Sequence, residues 1–200
     1  MSSDNTVYTG RATPIVYCDF YGVISPRMQP VGAISNVDEA DVFPIDRHTP
    51  NDVRWSSELI DELRSLINDW YIAWHWLVSD PVEISSISDQ LGFDRHKVII
   101  EELAYCHADD VVTLRSKPDI IHWQMMRSRN DGRIRPIIWI DDQYAACSPE
   151  LTTLDNCAKQ TGTPILMITP TDTVGLTRNH LAAINGFIRE DRHPVGVTAA

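Results

Sequence analysis

An α/β domain, a mainly parallel sheet layered between helices, is the fold class that this 200-residue sequence predicts. Three observations carry that expectation. Short apolar runs recur at Ile15–Cys18, Tyr71–Val78, Ile137–Ile140 and Ile165–Ile168, without the alternation of a half-wet strand; this is the pattern of strands buried on both faces. Each run ends in a polar switch, at Asp19, Ser79–Asp80, Asp141–Asp142 and Thr169. Helical periodicity fills the stretches between them, and strand–helix alternation implies parallel pairing.

Taken in order, the first strand closes on CDFYG. A helix is expected over Trp55–Leu66, with Trp55, Leu59, Leu63 and Leu66 on one face and Ser56 or Ser57 as its N-cap. Pro118 and Pro149 stand where a missing N–H costs little, in the first turns of helices expected at 118–128 and 149–160. Thr177 caps a last helix whose Leu181, Ile184 and Ile188 share a face. Residues 27–54 are rich in prolines and acids and show no sustained period, so a flap or hairpin is expected there, too short for a large cap domain. Val98–Ile100 and Val111–Leu114 are candidate short strands in an otherwise ambiguous stretch. The expected division is a tail at 1–13, one domain at 14–190 and a second tail at 191–200.

The chain is 43% hydrophobic, enough for one well-packed core. Its net charge of −11 opposes general binding to nucleic acid or to an anionic membrane surface. Cys18, Cys106, Cys147 and Cys157 are dispersed and form no CxxC pair, which argues for reduced thiols and against a disulfide framework or structural zinc. No apolar stretch is long enough to span a bilayer and the N-terminus carries no apolar signal core, so a cytoplasmic protein is expected. The seven histidines are scattered and no HExxH or phosphate-binding glycine loop is present. Trp74 and Trp76, two apart on one strand, are expected in the core, as are Trp123, Trp139 and the Cys18 thiol.

Ligands of parallel α/β sheets bind beyond the carboxyl ends of the strands. Asp19, Ser79, Asp141 and Asp142 all fall there, and Lys117 begins a helix. Three carboxylates, a hydroxyl and an ammonium on one edge suit phosphoryl transfer. A carboxylate attacks phosphorus, a hard cation such as Mg2+ offsets the charge, and the ammonium and hydroxyl hold phosphate oxygens. Each residue alone also has an ordinary reading, as a turn acid, a helix cap or a solvated helix-start lysine.

The motifs CDFYGVISP, WHWLVS, RSKPD and IDD, in this order, resemble those of the haloacid dehalogenase-like (HAD) superfamily. The stretch PIIWIDDQY with TPILMITPTDTVGLTRNHLAAINGFI is similar to small HAD-like proteins of actinobacteria and their phages, which have little or no cap. The resemblance spans roughly residues 14–190. It implies a Rossmann-like three-layer sandwich without a large cap domain. It further implies that Asp19 is nucleophile and metal ligand, that the main-chain carbonyl of Tyr21 is a ligand, and that Ser79 and Lys117 hold the phosphate. Asp141 and Asp142 then complete a Mg2+ site. The implied partner is a phosphorylated small molecule or the phosphorylated end of a macromolecule.

Tyr21 departs from that pattern, since phosphatases of the family place a second aspartate there. A general acid–base residue contributes about 10^2–10^4 in rate, and a phenol with an ordinary pKa of about 10 is a poor base at neutrality. Three readings stay open. The chain is a slow or leaving-group-selective phosphohydrolase, with Asp80, Asp38, Glu39 or Asp41 standing in. It is a dehalogenase-type hydrolase, as Asp-x-Tyr-Gly and Lys117–Pro118–Asp119 favour and the Asp141–Asp142 pair opposes. Or it is an impaired homologue that works by binding.

Overall fold

A computed structural model describes residues 12–27, 37–49, 52–70, 72–103, 105–108, 111–114, 116–143 and 148–192. Residues 1–11, much of the 27–54 segment, Tyr71, Cys147 and the 193–200 tail lie outside the described residues.

β1 (Ile15–Cys18) is the middle strand of the sheet, and all four of its residues are buried. A strand with neighbours on both edges and helices on both faces has no wet side, which is why IVYC shows no alternation of polarity. It pairs in parallel with β4 (Ala73–Val78) on one edge and β8 (Ile137–Ile140) on the other. Beyond them lie β5 (Val98–Glu102) and β9 (Ile165–Ile168), also parallel, so the order is β5-β4-β1-β8-β9. The chain moves outward from β1 to one edge, then returns to fill the other. The reversal falls at β1/β8, where the ends of two strands diverge into a crevice.

Residue parity separates the two faces. Val16, Cys18, Trp74, Trp76, Ile138 and Ile140 pack under α1 (Ser57–Trp70), α2 (Pro81–Gln90) and α5 (Arg178–Arg192). Ile15, Tyr17, Leu77, Ile137 and Trp139 pack under α3 (Lys117–Asn130) and α4 (Ser148–Thr161). This is the expected three-layer α/β sandwich.

Caps set the helix ends. Ser116 and Asp119 form a reciprocal capping box at the start of α3, with Pro118 in the first turn. Asp80 accepts from the N–H groups of Val82 and Glu83 and so starts α2. At α5, Thr177 Oγ1 accepts from His180 N at 3.4 Å while His180 Nδ1 accepts from Thr177 N at 3.1 Å, placing an imidazole in the role usually held by Glu or Gln.

Three expectations are corrected. The first helix starts at Ser57 rather than Trp55 and runs on to Trp70. Trp55 instead belongs to β3 (Arg54–Trp55), which pairs antiparallel with β2 (Arg47–His48). The second strand begins at Ala73, two residues later than its apolar run. Trp123 is 52% exposed on the outer side of α3, with the Arg127 guanidinium 5.2 Å from its ring, so it is not core. Within the ambiguous stretch 98–114, β6 (Tyr105–Ala108) and β7 (Val111–Leu114) pair antiparallel in a two-stranded sheet apart from the main one. Trp74, Trp76 and Trp139 are buried as expected, and Cys18 and Cys157 are buried free thiols.

Candidate active site

The parallel ladder continues one residue past the ends of β1 and β8. Asp19 N donates to Ile140 O at 2.9 Å and Asp141 N to Ile168 O at 3.1 Å. Both aspartates are thereby held in register at the crevice, and their odd parity matches the face covered by α3. Lys117, the first residue of α3, reaches back to them. Its Nζ bonds Asp19 Oδ2 and lies 2.8 Å from Asp141 Oδ2. The three side chains are 13%, 3% and 19% exposed for Asp19, Asp141 and Lys117, so this is a largely desolvated ion triad.

The loop after β1 is built around Phe20. Its ring is fully buried and meets Trp76 edge-on at a centroid distance of 5.7 Å. Phe20 O accepts from Ile24 N and Ser25 N, and Phe20 N donates to Asp19 Oδ1 at 2.7 Å. One carboxylate oxygen of Asp19 is thus tied to its own loop and the other to Lys117. Gly22 has φ +76°, and a Cβ there would lie 2.4 Å from Asp142 Oδ2. Only glycine allows the acid and the backbone to approach this closely. On the far side, Gly175 (φ +76°) lets the 171–176 turn press against Val23 O, which accepts from Leu176 N at 2.8 Å.

Carboxylate oxygens of Asp19, Asp141 and Asp142 lie within 4.8 Å of one another. Asp141 Oδ1 accepts from Gln143 N. Among the described residues Asp142 Oδ1 is buried with no hydrogen-bond partner, and the Arg27 guanidinium faces the side chain, with Nη2 3.8 Å from Oδ2. A buried carboxylate oxygen left without a donor is costly, and carboxylates from three residues this close together suit a hard divalent cation. The residues present therefore fit Mg2+.

The electrostatics follow from crowding. Burial pushes the Asp19 carboxyl above its ordinary pKa against the pull of Lys117, and Asp141 adds to the push. Burial also works against the Lys117 charge, but Asp19 and Asp141 outweigh it and hold the ammonium above the usual lysine value. Burial and then Asp141 raise Asp142, with Arg27 offsetting part of the effect.

Ser79 follows β4, beside β1, but is exposed and makes no hydrogen bond to this cluster among the described residues. Tyr21 is 37% exposed with its ring edge-on to Phe20. Burial, then the hydrogen bond to Glu83, pushes its phenol well above the ordinary value. Its proton is directed at Glu83 of α2 rather than at the aspartates. Three of the four acids considered as substitutes have structural work elsewhere. Asp80 caps α2, Asp38 caps the 3-10 turn Glu39–Asp41, and Asp41 accepts from Asn179 N. Sequence reasoning missed Glu83 and Arg27, because neither sits in a motif.

The HAD domain of effector protein Lem4 from Legionella pneumophila matches this structure with a TM-score of 0.53. The match covers 91% of this chain and 96% of that one at 13% identity. No protein-family model and no curated protein matches the sequence. At that identity the likeness speaks for the fold: the chain has a HAD-like, Rossmann-type α/β fold. Among the described residues no helix is long and apolar enough to cross a membrane.

Proposed function

We propose that the protein is a Mg2+-dependent phosphohydrolase acting through an aspartyl phosphate on Asp19. The observation that carries this reading is the desolvated triad in which Lys117 joins Asp19 to Asp141, next to the unpartnered oxygen of Asp142. Asp19, Asp141, Asp142 and the Tyr21 carbonyl would hold the Mg2+, which when bound neutralises charge on the phosphoryl oxygens.

Asp19 contributes the nucleophilic oxygen. Its bond to phosphorus forms as the bond from phosphorus to the leaving oxygen breaks, and that oxygen takes a proton from solvent. Water then adds to phosphorus, the bond to Asp19 breaks, and inorganic phosphate leaves with the carboxylate restored. Lys117 orients Asp19 and offers its ammonium to a phosphoryl oxygen, and Ser79 offers a hydroxyl at the adjoining strand end. The protonated Tyr21 phenol is engaged with Glu83, so among the described residues no positioned acid serves the leaving group. The enzyme therefore favours substrates whose leaving oxygen is already a weak base, such as acyl or aryl phosphates. The resemblance to small capless proteins of actinobacteria and their phages fits an open site that takes a metabolite or the phosphorylated end of a larger molecule.

Mg2+-dependent release of phosphate from acetyl phosphate or p-nitrophenyl phosphate, abolished in Asp19→Asn, is the expected result. Metal-independent turnover, or turnover that survives Asp19→Asn, would refute it. The Tyr21–Glu83 bond and the exposed Ser79 favour a second reading, a HAD-like binding protein with little turnover. That reading predicts ligand binding with no hydrolysis of either ester.

A further inference from the structure

We propose that Arg27 is a second anion-binding group of this site, gripping the phosphoryl oxygens of a doubly charged phosphate monoester; this rests on the phosphohydrolase reading above. Arg27 directly follows the Phe20 loop, and its backbone N–H donates to Asp172 O at 2.8 Å, tying it to the turn on the far side of the crevice. The guanidinium is 50% exposed while the Asp142 side chain is 3% exposed. Its Nη2 stands 3.8 Å from Asp142 Oδ2, an ion contact too long for a hydrogen bond. Asp142 therefore consumes none of the guanidinium donors, although it holds the group at the mouth of the site.

Charge decides what Arg27 is for. Three carboxylates cluster here, and Lys117 together with one divalent cation only cancels them. A neutral site has no net attraction for a phosphate dianion. The guanidinium supplies the missing positive charge, in a fork that matches two phosphoryl oxygens. A cation bound to Asp142 also takes over Arg27's partner and leaves its donors to the incoming phosphate. Arg27 and the metal thus compete for Asp142 but cooperate on the substrate.

That dual role gives opposite signs in one variant. Calorimetric titration of Arg27→Ala with Mg2+ alone should show binding about 2- to 5-fold tighter than in the parent, the value of a half-exposed ion pair. Titration of the Mg2+-loaded protein with inorganic phosphate should show binding weaker by about 10-fold or more, the loss of a charged hydrogen bond. Arg27→Lys, which keeps the charge but not the fork, should recover part of the phosphate affinity, and its melting curve checks the fold. A parent that binds Mg2+ and phosphate with both affinities unchanged in Arg27→Ala, or moved in the same direction, overturns the clamp alone. A parent that binds neither overturns the phosphohydrolase reading and the clamp with it.

Discussion

Lys117→Met removes the ammonium between Asp19 and Asp141 while keeping the length of the side chain. At 2.8 Å and an effective dielectric of about 20, the Lys117–Asp141 attraction alone is roughly 6 kcal/mol before desolvation is counted. Desolvation absorbs much of that, and breaking a buried pair costs about 3–5 kcal/mol net. Lys117 is 19% exposed, so some water reaches the site and the low end, about 3 kcal/mol, applies. For a domain of this size each kcal/mol is worth about 2–4 °C, so the metal-free variant should melt about 6–12 °C below the parent. Saturating Mg2+ offers the two carboxylates another countercharge and should return about 2.7 kcal/mol at a hundredfold excess over its Kd. Lys117→Met with Asp19→Asn should be more stable than Lys117→Met, because the stranded repulsion is gone. Calorimetric melts with EDTA and with Mg2+ measure all three. If Lys117→Met melts at the parent temperature without metal, or Mg2+ destabilises it, the triad is not the electrostatic centre described.

Two further outcomes follow. Burial holds the His180 imidazole below its ordinary pKa, with Asp41 opposing, and its Nδ1 must be unprotonated to accept from Thr177 N. The unfolded chain binds that proton more readily, so stability present above about pH 6.5 is lost as pH falls through the lower folded value. Urea melts at neutral and mildly acid pH should show that loss reduced in His180→Gln, which keeps the capping box without the titration; an equal loss in both proteins counts against it. Gly22→Ala forces φ +76° on an L-residue and drives a methyl into Asp142. It should cost about 1–2 kcal/mol of stability and weaken Mg2+ binding in a calorimetric titration, whereas unaltered Mg2+ affinity would contradict the close approach.

The strands at 15–18 and 137–140 could be read to the residue, because a centrally paired strand must be apolar on both faces and then stop where the crevice opens; the edge strand at 165–168 was legible because ILMI is apolar throughout, although it is only half-buried and Met167 is exposed. Asp19, Asp141 and Asp142 were legible for a related reason, since each follows an apolar run, whereas Lys117 stood out only through the stretch RSKPD at a helix start. The helix Pro81–Gln90 was not anticipated: Ile84 and Ile87 are its only strongly apolar buried residues, and three serines dilute the stripe. Its Asp80–Pro81 start was the available signal. Trp55 misled by size, because a large apolar side chain beside a helical stripe scores as helix while its backbone pairs with Arg47. Arg27 and Glu83 were invisible because each acts through a contact made by tertiary closure, not through a neighbour in the chain.

The central place of β1 has a consequence during synthesis. Residues 15–18 leave the ribosome well before the strands that flank them, and β4 can cover one of their edges once residue 78 is made. The other edge waits for residues 137–140. Through that interval IVYC presents an unpaired margin with a proline and a charge only at its two ends, Pro14 and Asp19, the kind of surface on which nascent chains adhere to one another. Translation pauses or truncations ahead of residue 137 would therefore leave the strand that leads into Asp19 with one adhesive edge.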